Sequence, residues 1–151
     1  MEIKDIMSKN IITSNINDDI SIIANKMRNY DIGFIPIIDK NHIIGIITDR
    51  DIACRIFNNE DPEGDITEYM SRDIISTDID SSIPEALNLM KKHRIKRIII
   101  KEQEKIVGIL SISDILPINE YKNETYETIK EIWKIGPNKH KYETEIDEFY
   151  L

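Results

Sequence analysis

The sequence predicts an α/β (α+β) fold: two tandem β-α-β-β-α repeats whose sheets pack about a pseudo-twofold axis, followed by a C-terminal helical extension. Three observations lead there. Sliding the chain by 63 positions aligns residues 3–52 with 66–115 without a gap, and 17 of those 50 positions are identical. The chain holds 36 isoleucines, so Ile20/Ile83, Ile32/Ile95 and Ile52/Ile115 weigh little by themselves. Met7/Met70, Ser8/Ser71, Met27/Met90, Gly45/Gly108 and Asp51/Asp114, all in one register, carry the case for duplication. Each copy also passes through the same order of helix-period and strand-period segments. The duplication stops at Pro117, and a new helical pattern follows.

The elements of the first repeat, residues 1–57, come in order. IITS (11–14) is a short extended segment. Asp18 or Asp19 caps a helix from about Ile20 to Tyr30, with Ile20, Ile23, Ala24 and Met27 on one face. FIPIID (34–39) and HIIGIIT (42–48) are β-rich runs separated by Lys40-Asn41, a hairpin signal. A second helix follows Thr48, carrying Ile52, Ala53 and Ile56. A polar linker at 58–65, punctuated by Pro62 and Gly64, leads into the second repeat at 66–117. There Ser82 and Glu85 form a capping box, and Pro84 suits the first turn of the helix. RIIIKE (97–102) and KIVGILS (105–111) are the matching strands. Neither half, at about 55 residues, buries much alone, so the two sheets are expected to pack together. Residues 118–151 form the extension. Ile118, Tyr121, Thr125, Ile129, Ile132 and Trp133 share a helical face, Pro117 breaks the preceding helix, and Gly136-Pro137 ends the new one before a polar, acidic tail.

Composition excludes several function classes. The chain of 151 residues is 40% hydrophobic and 32% charged, with no apolar run of membrane-spanning length. Its N-terminus, MEIKDIMSKN, lacks the apolar core of a signal peptide, and the single Cys54 fits a reducing cytoplasm, so a soluble cytoplasmic protein is expected. A net charge of −8 argues against nucleic-acid binding, since backbone phosphates are repelled overall. A small phosphorylated ligand held by a few local cations stays compatible with it.

GIITDRD (45–51) and GILSISD (108–114) are the recurring chemistry. Each offers a hydroxyl, Thr48 or Ser111, and a carboxylate three residues on, Asp51 or Asp114, just after an apolar strand. Such a pair caps a helix, worth about 1 kcal/mol. It also suits a sugar: an acceptor-only carboxylate takes both protons of a vicinal diol, and a helix start attracts phosphate. His42, His93 and His140 have no metal-ligand spacing with Cys54, which reads as a buried structural cysteine on the helix after Thr48. No nucleophile–base motif, HExxH or P-loop is present.

Two tandem β-α-β-β-α repeats, each ending in Gly-apolar-apolar-Thr/Ser-x-x-Asp, resemble a pair of CBS domains, the Bateman module, over residues 3–117. TDRDIA (48–53) is similar to the wording of small stand-alone bacterial members. The resemblance implies a non-enzymatic regulatory module that binds AMP, ADP, ATP or S-adenosylmethionine in clefts between the repeats. It implies Asp51 and Asp114 as ribose acceptors, with Thr48 and Ser111 near sugar or phosphate. In the gamma subunit of AMP-activated protein kinase a His-Arg pair at the start of the second strand contacts phosphate. The matching positions here are Lys96-Arg97 in the second repeat but Gly33-Phe34 in the first, and Arg50 adds a further cation. The run KKHRIKR also reads as a solvated helix end complementing the helix dipole. Family members generally form a disc of four repeats, so a homodimer is expected, with Ile22, Ile56, Phe57 and Leu89 as leftover apolar surface. Any output then goes to a protein partner in trans. A rival is a structural, dimerising pair with vestigial clefts, and a nucleotide-processing enzyme lacks its signature. Trp133 packs its helix onto its own chain or a second subunit, in preference to reaching an external protein.

Overall fold

The duplicated pattern folds twice into the same three-stranded sheet. The computed structural model describes residues 1–40, 42–56 and 65–134, with the side chains of Arg55 and Ile56 excepted. The linker at 58–64, Phe57, the side chain of Ile56, the Gly136-Pro137 stop, His140 and the acidic tail lie outside the described residues. The chain divides into two compact units: Ser8–Ser76, and Met1–Met7 together with the chain from Thr77 onward. Each unit therefore does not coincide with one sequence repeat. Each contains the hairpin of one repeat and the leading segment of the other.

In the unit Ser8–Ser76, β1 (Ser14–Asn15) pairs parallel with β2 (Phe34–Asp39), which pairs antiparallel with β3 (His42–Thr48). Lys40 turns the hairpin with a left-handed φ of 46°. Between β1 and β2 runs α2 (Ile20–Tyr30), and its Ile20, Ile23 and Met27 are buried as the helical spacing predicts. Asp19 holds the N-cap position without a side-chain bond. Its neighbour Asp18 instead accepts from the Ser14 hydroxyl, the Asn15 N–H at 2.9 Å and Lys26 Nζ at 3.0 Å. The helix core is completed by Ile35, Ile37, Ile47 and by Ile66, Tyr69 and Met70 from the start of the second repeat. A bridge between Ile46 and Ser71, with N–H···O distances of 2.9 and 2.8 Å, fastens that segment.

After β3 the backbone makes α3 (Asp49–Asp51) and winds on as a π-helical turn over Ile52–Ile56. The wider winding leaves Ala53 and Cys54 exposed, so Cys54 is a surface residue and not the buried one expected.

The other unit repeats the plan with β4 (Ser76–Asp78), α4 (Ile83–His93), β5 (Arg97–Glu102), β6 (Lys105–Ser111) and α5 (Ile112–Ile115). The bulge falls at the equivalent place in both hairpins, Ile37/Ile38 and Ile100/Lys101. Gln103 and Glu104, with φ of 46° and 64°, make the turn. Ser82 and Glu85 form the expected capping box: Glu85 Oε2 accepts from the Ser82 N–H at 2.7 Å and Ser82 Oγ accepts from the Glu85 N–H at 3.3 Å. The short α1 (Ile3–Ile6) belongs here, its Ile3 fully buried.

The leading-segment exchange explains the motif glycines. A Cβ on Gly45 would lie 2.7 Å from Met70 Cγ and 3.1 Å from the Ser71 carbonyl oxygen, and one on Gly108 would lie 2.9 Å from Met7 Cγ. Met70 thus packs on Gly45 and Met7 on Gly108, each on the β-strand glycine of the opposite repeat, which accounts for the joint duplication of Met and Gly.

Beyond Pro117 a 3₁₀ turn (Asn119–Tyr121) leads into α6 (Lys122–Ile132), which lies along α4. Thr125 and Thr128 are buried at this contact, and Ile129 and Ile132 are half-buried. Short side chains there let the two helices approach closely.

Candidate strand-end nucleotide site

Two equivalent ends are built where β2 meets β3 and β5 meets β6. The registers are Phe34 opposite Thr48, and Arg97 opposite Ser111. Directly paired residues have Cβ atoms about 5 Å apart, so the first residue of each leading strand stands beside the motif hydroxyl. The residue before it also closes the site: the Asp49 N–H donates to the Gly33 carbonyl at 3.1 Å, and the Ile112 N–H to the Lys96 carbonyl at 3.0 Å.

The hydroxyl–carboxylate pair is a capping box in both copies. Thr48 (φ −114°, ψ 162°) and Ser111 (φ −112°, ψ 160°) hold the N-cap with nearly the same backbone. Asp51 Oδ2 accepts from the Thr48 N–H at 2.9 Å and from Thr48 Oγ1 at 2.8 Å. Asp114 Oδ2 accepts from the Ser111 N–H at 2.7 Å and from Ser111 Oγ at 2.8 Å. Ser111 Oγ also lies 2.6 Å from Ser113 Oγ. The box fixes each carboxylate against the strand end while keeping it half-exposed. The bonds that the carboxylate accepts within the box all fall on Oδ2 in both copies.

Charge separates the two ends. At the second, Lys96 and Arg97 are exposed beside Ser111, and Lys91, Lys92 and His93 occupy the last turn of α4 as the dipole reading expects. At the first, Phe34 replaces the Arg, and Gly33 replaces the Lys. A Cβ on Gly33 would lie 2.5 Å from Asp49 Oδ2, so an acidic group fills the space where Lys96 emerges in the other copy. Arg50 is exposed on α3. Asp49 was not singled out in the sequence, although its pairing with Ile112 at the 63-residue spacing signals an acid present in one copy alone.

Lys96 has a neighbour the sequence did not disclose. Its Nζ stands 4.6 Å from the centroid of the Trp133 ring, at the end of α6. Beside it Arg94 donates to Glu131 Oε1 at 3.0 Å, and Lys134 donates to Glu131 Oε2 at 2.9 Å. These bonds, Lys134 first and Arg94 second, hold the Glu131 carboxyl below the usual carboxylate range. Among the described residues no group of His, Cys, Asp and Glu is placed to hold a metal ion, and no helix is long and apolar enough to cross a membrane.

Known proteins share this architecture. Residues 3–58 and 64–118 each match the CBS domain family. The CBS domain-containing protein YhcV of Bacillus subtilis is 33% identical over 124 residues, covering 82% of this chain and 88% of that protein. The inosine-5′-monophosphate dehydrogenase of Methanocaldococcus jannaschii is 29% identical over 119 residues, 78% of this chain but 23% of that one. Among solved structures, the CBS domain pair of protein MJ0100 in complex with 5′-methylthioadenosine and S-adenosyl-L-methionine is 30% identical, covers 78% of this chain and 98% of that one, and superposes with a TM-score of 0.71.

Proposed function

The chain belongs to the CBS-domain family, and on that premise we propose that it is a non-catalytic regulatory module that binds an adenosyl ligand at its strand-end motifs and signals to a protein partner in trans. One observation carries this reading: the Ser111–Asp114 box stands beside Arg97 and Lys96, so a carboxylate able to accept from sugar hydroxyls and two cations able to meet phosphate share one strand end. The solved complex of the MJ0100 pair with two adenosyl compounds supports the ligand class. Asp114 and Asp51 take the ribose hydroxyls, Ser111 and Thr48 approach the sugar, and Lys96, Arg97 and Arg50 meet phosphate. AMP, ADP and ATP suit the second end best, where Lys96 and Arg97 stand together, whereas at the first end Asp49 offsets the charge of Arg50.

Binding shifts the population of conformations, and the partner reads the shift. The protein works in the cytoplasm as a homodimer, for which the exposed Ile22 on α2 is one contact candidate. Light scattering then gives about twice the 17.7 kDa chain mass. One observation favours a second reading, a dimerising pair with vestigial clefts: both motif carboxylates already serve as helix caps. Thermal-shift measurements on ligand-free protein separate the two, because a ligand that binds only the native state raises the melting temperature. A rise with AMP, ADP or ATP supports the regulatory reading. A flat response to these and to S-adenosylmethionine, with the dimer intact, supports the structural one.

A further inference from the structure

The two halves of α6 are held in different ways. Its middle is packed on α4 through the buried Thr125 and Thr128. Its end, where Ile129 and Ile132 are only half-buried, adds polar contacts at the surface, Glu131 on Arg94 and Trp133 on Lys96, and the Trp133 side of that contact is 50% exposed. Arg94 and Lys96 sit immediately before β5, next to Arg97, which is the cationic edge of the second strand end. The same cations thus have two claimants: the last turn of α6 and an anionic ligand.

We propose that the last turn of α6 is an autoinhibitory clasp on the second strand end, which a phosphate-bearing nucleotide opens by taking Lys96 from Trp133. The inference rests on the reading that Lys96 and Arg97 receive the ligand's phosphate. An exposed cation–π contact is weak, whereas an ammonium–phosphate bond is charge-assisted and short. Glu131 adds to the effect, since its carboxylate beside Arg94 repels an incoming phosphate until the turn moves away. The competition goes to the phosphate, and Trp133 loses its hold at the surface while Thr125, Thr128 and the half-buried Ile129 keep the rest of α6 on α4. A ligand with the same adenosine but no phosphate leaves the clasp closed. The end of α6 therefore reports phosphate, independently of adenosine, to whatever reads the protein.

Trp133 is the only tryptophan of the chain, so its emission reads the clasp directly. Ligand-free, full-length protein is titrated with ATP and with 5′-methylthioadenosine while emission and calorimetric heat are followed in parallel. ATP is expected to bind and to change the emission with the same dissociation constant that the heats give. Methylthioadenosine is expected to leave the emission unchanged. Trp133→Ala removes the competitor, and ATP affinity is expected to rise about two- to fivefold. ATP heat without an emission change, or with unchanged ATP affinity in Trp133→Ala, overturns the clasp and leaves the nucleotide site standing. An equal emission change with methylthioadenosine overturns its dependence on phosphate. No heat with either ligand overturns the nucleotide site, and the clasp falls with it.

Discussion

At the first strand end the chain places Gly33, Phe34, Asp49 and Asp51, and at the second the equivalent positions hold Lys96, Arg97, Ile112 and Asp114. The backbone around them is the same: paired strands in equal register, a bulge at the same place, and a capping box with matching dihedral angles. The features that set this backbone are the duplicated ones, the glycine under a methionine and the hydroxyl–carboxylate box. The side chains that set the charge are those in which the copies differ. Duplication thus preserved a frame and left its electrostatics to diverge, giving one end with Lys96 and Arg97 and one with Asp49 against Gly33.

The largest effect tests whether the frame is shared. Ile35 and Ile98 are equivalent and both are buried, so Ile35→Ala and Ile98→Ala are each expected to cost about 2–5 kcal/mol in chemical denaturation. Clearly unequal costs would show that the two copies are not one frame.

A smaller effect distinguishes the copies. Ser14, Asp18 and Lys26 form a charged cluster whose counterparts are Thr77, Ser81 and Leu89, where Thr77 Oγ1 simply donates to Ser81 Oγ at 2.7 Å. Asp18→Ala is expected to cost about 1.5–3 kcal/mol, and Ser81→Ala about 1 kcal/mol. The bond from the Ser14 hydroxyl, ahead of those from Asn15 and Lys26, holds the Asp18 carboxyl below its ordinary value. Its stabilisation is therefore complete above the unfolded pKa, about 3.9, and fades as pH falls through the lower folded value. Asp18→Asn should flatten that acid limb of the stability profile, and an unaltered limb would remove Asp18 from this role. The smallest difference concerns the caps. Ser82→Ala is expected to cost about 1 kcal/mol, while Asp19→Ala, which breaks no side-chain cap bond, should leave the melting temperature nearly unchanged.

Much of this was legible in the sequence because it is local. Strand-period runs at 34–39, 42–48, 97–102 and 105–111 are the observed strands, and the Ser82–Glu85 spacing is the observed box. β1 is shorter and later than the 11–14 segment expected, at Ser14–Asn15, because only two of its residues pair. What was not legible depends on distant parts of the chain. The crossing of the Met–Ser segments joins residues 45 with 70 and 7 with 108, although the joint duplication of Met and Gly was a trace of it. The Trp133–Lys96 contact depends on α6 packing along α4, and no local pattern records a 37-residue reach. Cys54 was misplaced because a π-helical turn has a period that an α-helical reading does not contain.

Calorimetry with ATP on Asp114→Ala, Arg97→Ala and Asp51→Ala tests the difference between the ends most directly. On the proposed binding mode, Asp114→Ala and Arg97→Ala each remove a charge-assisted bond to the ligand, about 1.5–3 kcal/mol, and are expected to weaken ATP binding roughly ten- to a hundredfold. Asp51→Ala is expected to weaken it less. Unchanged affinity in Asp114→Ala, or a loss confined to Asp51→Ala, would contradict the assignment of the phosphate-bearing ligand to the second strand end.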